Sequence, residues 1–197
     1  MNYLNCVLWS FLLILTAAAC RQEQKNMDIS EYYYPVADLQ SGMVYEYRPV
    51  DSSLFPVEYW YFYSLDADTA QFLAANYIDH QFNVQQFVLE EMVRNGAMLQ
   101  KMTLIQVDSL GQSQQVPVDI LSPAAYPFEV TDSLGVFLTK LQWEDRDVPG
   151  RTTTLIRNRR YYGKKPCPCY KPNELCVQFQ LRELVSTDEV GVQELEH

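Results

Sequence analysis

A cluster of basic side chains near the carboxyl end is the strongest chemical signal in the sequence. Residues 151–171 contain seven Lys and Arg residues and no acid, in a chain whose formal net charge is −10. A local basic patch on an acidic protein can bind anionic lipid head groups, anionic glycans or an acidic partner protein. It can equally balance the acidic remainder of the same fold. The candidate residues are Arg151, Arg157, Arg159, Arg160, Lys164, Lys165 and Lys171.

Three cysteines close to this segment could form one disulfide bond. Cys176 can pair with Cys167 or with Cys169 across a short loop, whereas a bridge between the latter two would close over a single proline and be strained. Each pairing leaves an odd thiol, which is either buried and inert or joins a second chain in a disulfide-linked dimer. A tetrahedral zinc site needs a fourth ligand, and neither His80 nor His197 is near in sequence. The sequence therefore predicts no metal site.

An aromatic run marks a candidate apolar pocket. The run covers residues 57–64. On a strand Tyr59, Tyr61 and Tyr63 share one face, and Trp60 and Phe62 share the other. Because a half-exposed sheet alternates apolar with polar residues, we expect both faces to be covered. Two interpretations remain: an aromatic core between two layers, or a curved sheet whose interior holds an apolar ligand. The candidate pocket residues are Tyr59, Trp60, Tyr61, Phe62, Tyr63 and Trp143.

No motif of an enzyme or of a cofactor site is present. The sequence lacks Gly-x-Ser-x-Gly, His-Glu-x-x-His and a phosphate-binding glycine loop. The adjacent acids Glu90-Glu91 and Glu144-Asp145 would point to opposite faces of a strand, although carboxylates from distant strands could still pair. The excess of acidic residues argues against nucleic-acid binding. We therefore expect a non-catalytic protein without a cofactor.

The elements that must position these residues are β-strands. Val177, Phe179 and Leu181 alternate with polar residues, which is the period of a strand. Asn95-Gly96 separates two long strand-like runs and predicts a hairpin turn between them. The pattern predicts an all-β fold of about nine or ten strands joined by hairpins, since such turns make antiparallel neighbours. The expected architecture is a single curved antiparallel sheet, a partly closed barrel or a two-layer sandwich.

The first twenty residues, MNYLNCVLWSFLLILTAAAC, have the pattern of an export signal. Their apolar run is too short to span a bilayer, which needs about 20 apolar residues. Ala17-Ala18-Ala19-Cys20, with the polar stretch after it, resembles the lipobox of bacterial lipoproteins. The resemblance implies that residues 1–19 are removed and that Cys20 is acylated, with palmitate among its chains. An ordinary secretory signal or an uncleaved apolar anchor are the alternatives.

This resemblance implies a protein of the bacterial cell envelope, anchored by lipid at the outer membrane, where an oxidising compartment favours the disulfide. The expected organisation is a signal peptide (1–19), the lipidated cysteine and a tether (20–40), an antiparallel β domain (41–185) and a mobile acidic tail (186–197). The tyrosines at 32–34 either dock on the domain or lie at the membrane interface.

Three functions remain open. The first is a binding or assembly role in which the basic segment contacts an envelope protein or an anionic glycan or lipid. The second is a carrier that holds a lipid or other apolar ligand in the curved sheet. The third is an enzyme whose carboxylates or thiol act without a recognisable motif.

Overall fold

The computed structural model describes residues 26–49, 56–108, 110–122, 125–131, 136–146, 148, 150–166, 175–187 and 193–196. This part of the chain forms thirteen strands and two single turns of 3-10 helix, the latter at Ser30–Tyr32 and Val36–Asp38. The strands are β1 (Asn26–Asp28), β2 (Met43–Tyr47), β3 (Glu58–Ala67), β4 (Ala70–Ile78), β5 (Val84–Val93), β6 (Gly96–Val107), β7 (Ser113–Ile120), β8 (Ala125–Pro127), β9 (Glu129–Thr131), β10 (Val136–Glu144), β11 (Thr152–Pro166), β12 (Leu175–Thr187) and β13 (Gln193–Glu196).

Ten of these strands form one continuous antiparallel sheet. Their order is β13-β12-β11-β10-β7-β6-β5-β4-β3-β2, and the short β8 pairs with β6 beside this path. Most neighbours in the sheet are also consecutive in sequence, so short connections join them, as the turn residues predicted. β2 and β13 are the outer strands, so the sheet does not close into a barrel. The structure confirms the predicted all-β fold with its large antiparallel sheet.

The hairpin predicted at Asn95-Gly96 joins β5 to β6. Val93 pairs with Gly96, so Arg94 and Asn95 form the two-residue turn. Gly96 is buried and has a φ of +148°. A Cβ at this position would lie 2.3 Å from the Tyr126 carbonyl oxygen, because β8 runs directly beside it. The close approach of β8 therefore requires a glycine at the start of β6.

One face of the sheet, the inner face, carries most of the apolar core. Side chains on a strand alternate between faces, so residues aligned in register across neighbouring strands share a face. The opposite side of the sheet is the outer face. The inner-face residues aligned in this way are Phe62, Ala75, Val88, Met102 and Val118, followed by Leu141, Leu155 and Val185.

The amino-terminal segment (residues 29–41) packs on the inner face. Val36 and Leu39 are buried in one apolar cluster with Phe62 and Leu73. The Ser64 N–H donates a hydrogen bond of 3.0 Å to the Leu39 carbonyl oxygen. The segment therefore docks on the sheet through both its side chains and its backbone.

A small second sheet holds the start of this segment in place. β1 pairs antiparallel with β9, and Ile29 and Val130 are buried against Tyr161 of β11. The sequence assigned residues 20–40 to a tether, and the structure places 26–40 of that range against the main sheet. The tyrosines of this segment dock on the domain, which was one of the two positions expected for them.

The carboxyl-terminal end also contributes to the sheet. The sequence assigned residues 186–197 to a mobile tail. Ser186 and Thr187 belong to β12, and β13 pairs antiparallel with Arg182–Val185. The other tail residues lie outside the described part of the chain.

Candidate functional site: a cavity on the inner face

A cavity of about 820 Å³ lies on the inner face beneath the amino-terminal segment. Its floor extends across the sheet from Trp60 on β3 to Leu181 on β12, and its roof includes Tyr32, Tyr33 and Tyr34. Since β3 and β12 are close to opposite edges of the sheet, one cavity can contact both only if the sheet curves around it. The volume lies in the range of small-molecule sites, roughly 300–1,000 Å³.

Aromatic rings form the wall of the cavity at the β3 end. Tyr34 stacks on Phe62 with ring centroids 4.1 Å apart, and Trp60 lies 6.1 Å from Phe62. Tyr45 on β2 packs edge-on against Phe62 at 5.4 Å. The Trp60 Nε1 donates a hydrogen bond of 3.0 Å to Glu58 Oε2, which satisfies the polar atom of the indole. The remaining ring surface is apolar and suits the hydrophobic part of a ligand.

A row of rings connects this aromatic end with β11. The ring centroid of Tyr33 lies 5.3 Å from that of Tyr34 and 5.1 Å from that of Tyr126 on β8. The Arg159 guanidinium carbon lies over the Tyr126 ring, 5.1 Å from its centroid. This is the geometry of a cation–π contact. The aromatic row therefore ends at a positive charge.

Glu90 is an acidic residue on the inner face of β5, next to Val88 on that face. The Tyr33 hydroxyl donates a hydrogen bond to Glu90 Oε2, so the roof of the cavity contacts its floor here. Burial raises the pKa of Glu90, and the Tyr33 hydrogen bond and the charges of Arg159 and Arg157 oppose that rise only in part. Burial and the neighbouring carboxyl also raise the pKa of Tyr33, so its hydroxyl keeps the proton that it donates.

Two arginines of β11 line the other end of the cavity. Arg157 and Arg159 are two residues apart and share the inner face. The Arg157 Nε donates a hydrogen bond to Glu183 Oε1 on β12, so an ion pair balances its charge. Among the described residues, no carboxylate oxygen lies within ion-pair distance of Arg159. Burial, with a smaller contribution from Arg157, lowers the pKa of Arg159.

The basic residues predicted as one patch lie on different surfaces. Arg157 and Arg159 face the cavity. Arg160, the next residue on the strand, faces the outer side and lies over the Tyr162 ring at 5.4 Å. Lys165 is exposed towards the end of β11. Strand alternation thus divides the segment between two faces.

Ion pairs balance two further residues of the basic segment. Arg151 is paired with Asp145, which lies just after β10. The Lys164 Nζ lies 3.1 Å from Glu31 Oε1 in the amino-terminal segment. Lys171 lies outside the described residues. Ion pairs within the described residues therefore balance three of the seven basic side chains, Arg151, Arg157 and Lys164.

The structure also places the six aromatic candidates for the apolar pocket in different environments. Trp60 and Phe62 line the cavity. Trp143 packs in a second apolar cluster around Leu141 and Leu155. The remaining three candidates share the outer face with one another, as the alternation predicted, and are Tyr59, Tyr61 and Tyr63.

Most of the cysteine chemistry expected from the sequence lies outside the described residues. Cys20, Cys167 and Cys169 are not among them, and Cys176 lies on β12 opposite Lys165. Acylation of Cys20 and the disulfide therefore stay predictions. Within the described part of the chain, no three His, Cys, Asp or Glu side chains are grouped so as to hold a metal ion.

Sequence reasoning did not single out Glu90, Tyr33 or Tyr126 as site residues. A signal for Glu90 does exist, because Val88, Glu90 and Met92 share one face of a strand and the acid interrupts an apolar row. The two tyrosines reach the cavity from β8 and the amino-terminal segment, and no local spacing indicates this.

Comparison of the chain with protein-family models, with curated proteins and with solved structures gave no match. The helical turns of the described residues are each three residues long, and none is long and apolar enough to cross a membrane.

Proposed function

We propose that this protein is a non-catalytic carrier that holds an apolar or amphipathic small molecule in the inner-face cavity. The observation that supports this function is the aromatic wall formed by Tyr34, Trp60 and Phe62 in a cavity of about 820 Å³. Burial of apolar surface contributes about 25 cal/mol per Å², so a ligand that covers these rings gains binding free energy. The few polar side chains in the cavity would fix its orientation.

The lipobox-like sequence supports a position at the bacterial outer membrane, with an acylated Cys20 as the anchor. Two or more acyl chains are needed for stable anchoring, and palmitate is one expected chain. The five residues 21–25 separate Cys20 from β1, and the segment that follows β1 forms the roof of the cavity. A carrier tethered this closely to a membrane can exchange a lipid-like ligand with it.

An assembly role through the basic segment has less support. Arg157 is paired with Glu183, Arg151 with Asp145, and Arg160 faces away from the cavity. A partner would meet a divided set of charges instead of one basic surface. A disulfide-linked dimer through an odd thiol of the Cys167–Cys176 region is a separate prediction, which the mass of the non-reduced chain would test.

Photolabelling with a neutral lipid-like probe tests the carrier function. The full chain, purified in a non-ionic detergent, is irradiated with a long-chain alcohol that carries a diazirine in its chain. Labelled peptides are then identified by mass spectrometry. Thr139→Trp fills the cavity from β10, and Lys140→Trp places the same ring on the outer face of the same strand as the matched control.

We expect labels on peptides that contain cavity residues, competition by the unlabelled alcohol, and strong loss of labelling in Thr139→Trp but not in Lys140→Trp. Both variants must keep the wild-type circular dichroism spectrum. Labelling that is spread over the surface, or that is equal in the two variants, would overturn the proposal.

A further inference from the structure

We propose that the ligand of the cavity carries an anionic head group, a carboxylate or a phosphate, that binds Arg159, while its apolar chain lies along the aromatic row towards Trp60. This inference rests on the proposed carrier function and names the class of ligand. It therefore predicts a fatty acid or an alkyl phosphate rather than a neutral lipid.

Arg159 has no ion-pair partner among the described residues. Arg159 is half-buried, its guanidinium lies over the Tyr126 ring, and no described carboxylate oxygen is within ion-pair distance of it. Arg residues are rarely buried without a partner, because removing a charge from water is costly unless it is paired. An anionic head group would supply this partner with the bidentate geometry that a guanidinium favours.

The other charges around this end of the cavity are already balanced or directed elsewhere. Glu183 pairs with Arg157, and Glu31 pairs with Lys164. Glu90 accepts the hydrogen bond of Tyr33. Burial raises the pKa of Glu90, and the hydrogen bond from Tyr33 and the charges of Arg159 and Arg157 oppose that rise. Among these cavity groups, Arg159 is the charge left for a ligand.

A continuous apolar path of aromatic rings begins beside Arg159. Tyr126 contacts Tyr33, which contacts Tyr34, which stacks on Phe62 beside Trp60. The path leads from β11 to β3, which are six strand intervals apart in the sheet. At about 4.8 Å per interval, a flat sheet would separate them by about 29 Å, and curvature shortens this. A long chain with a charge at one end matches a cavity with this polarity.

The two ends of the cavity differ in the chemical groups that they present to a ligand. The β3 end presents rings whose polar atoms are directed to other partners, such as Trp60 Nε1 to Glu58. The β11 end presents two guanidinium groups on one strand face. A ligand that is apolar throughout would cover Arg159 without pairing its charge, so binding would favour the amphipathic ligand.

The test compares three diazirine probes with the same chain: a fatty acid, an alkyl phosphate and the alcohol used above. Apparent dissociation constants are measured from cavity labelling of the full chain as each probe is titrated. Arg159→Gln removes the charge at similar length, and Arg160→Gln removes the neighbouring charge on the outer face as the matched control. Circular dichroism and the thermal midpoint establish that both variants fold.

In the wild type we expect at least one anionic probe to bind about tenfold or more tightly than the alcohol, as a charged hydrogen bond would give. Arg159→Gln should abolish this preference by weakening the binding of the anionic probes more than that of the alcohol, whereas Arg160→Gln should leave the preference as it is in the wild type. The tighter of the two anionic probes identifies the head group as carboxylate or phosphate.

Two results would overturn the inference and leave the carrier function in place. One is equal affinity of the wild type for all three probes. The other is an equal loss of all probes in Arg159→Gln, which would make this arginine only part of the cavity wall. If none of the probes labels the cavity, the carrier function and the inference both fail.

Discussion

The Tyr33 hydroxyl donates a hydrogen bond to Glu90 Oε2 and so joins the roof of the cavity to its floor. Tyr33 belongs to the amino-terminal segment, and Glu90 lies in the interior of β5. Val36 and Leu39 hold the same segment through apolar burial, which has no strong directional preference. The hydrogen bond has a preferred geometry and therefore fixes the position of the Tyr33 ring over the cavity.

Tyr33→Phe should destabilise the protein by about 1–3 kcal/mol, because it leaves the buried Glu90 carboxyl without its donor. Urea unfolding measures this change in the free energy of unfolding. Tyr63→Phe on the outer face is the matched control, since no hydrogen bond joins the Tyr63 hydroxyl to another described residue. The control should change stability by less than about 0.5 kcal/mol. Equal effects of the two substitutions would contradict a stabilising role of the Tyr33–Glu90 contact.

Stability should also depend on pH through Glu90. Burial raises the pKa of this carboxyl in the folded state, so the folded protein holds the proton more tightly than the unfolded chain does. The resulting stabilisation is fully present when the pH is below the pKa of Glu90 in the unfolded chain, near 4.5. It is lost as the pH rises through the pKa of Glu90 in the folded protein.

The glutamine side chain of Glu90→Gln cannot ionise, so the variant should not lose this stabilisation as the pH rises. The free energy of unfolding of the variant minus that of the wild type should therefore increase as the pH rises above 4.5. Urea unfolding at a series of pH values gives this difference directly, and the contributions of all other carboxyls cancel to first order. A difference that does not change with pH would mean that Glu90 ionises equally in both states.

The strands were predictable because their signals are local. The hairpin between β5 and β6, whose turn lies one residue before the predicted Asn95-Gly96, and the alternation of Val177, Phe179 and Leu181 depend on residues next to one another. The open edges of the sheet and the docking of the amino-terminal segment could not be predicted, because they depend on contacts between distant parts of the chain. One example is the Ile29 N–H, which donates to the Phe128 carbonyl oxygen at 2.7 Å.

The candidate site could be predicted only in part, for the same reason. Strand alternation separated Trp60 and Phe62 from the neighbouring tyrosines, and these two residues line the cavity. The sequence could not indicate that Tyr33 and Glu90, 57 residues apart, would meet across it. Nor did the basic segment indicate that Arg159 would face the cavity, because the net charge of a segment does not specify which side chains face inward.

Gly96→Ala should destabilise the protein more than Gly111→Ala. Both glycines have positive φ, +148° and +78°, so each substitution strains the backbone. At Gly111 no atom lies within 4 Å of the added Cβ, and the expected cost is about 1–2 kcal/mol of strain. At Gly96 the Cβ would lie 2.3 Å from the Tyr126 carbonyl oxygen, so β8 would also have to move. Equal losses in urea unfolding would contradict the close packing of β8.

Leu39→Ala should lower the free energy of unfolding by about 2–5 kcal/mol, because it removes a fully buried side chain from the cluster around Phe62. Leu110 is 80% exposed, so Leu110→Ala is the matched control and should cost less than about 0.5 kcal/mol. Leu39 belongs to the amino-terminal segment, whereas its neighbour Phe62 belongs to the sheet. A large loss of unfolding free energy in urea would therefore mean that the segment and the sheet unfold as one cooperative unit. A loss as small as that of Leu110→Ala would mean that the segment docks without stabilising the sheet, and that the roof of the cavity can open without unfolding its floor.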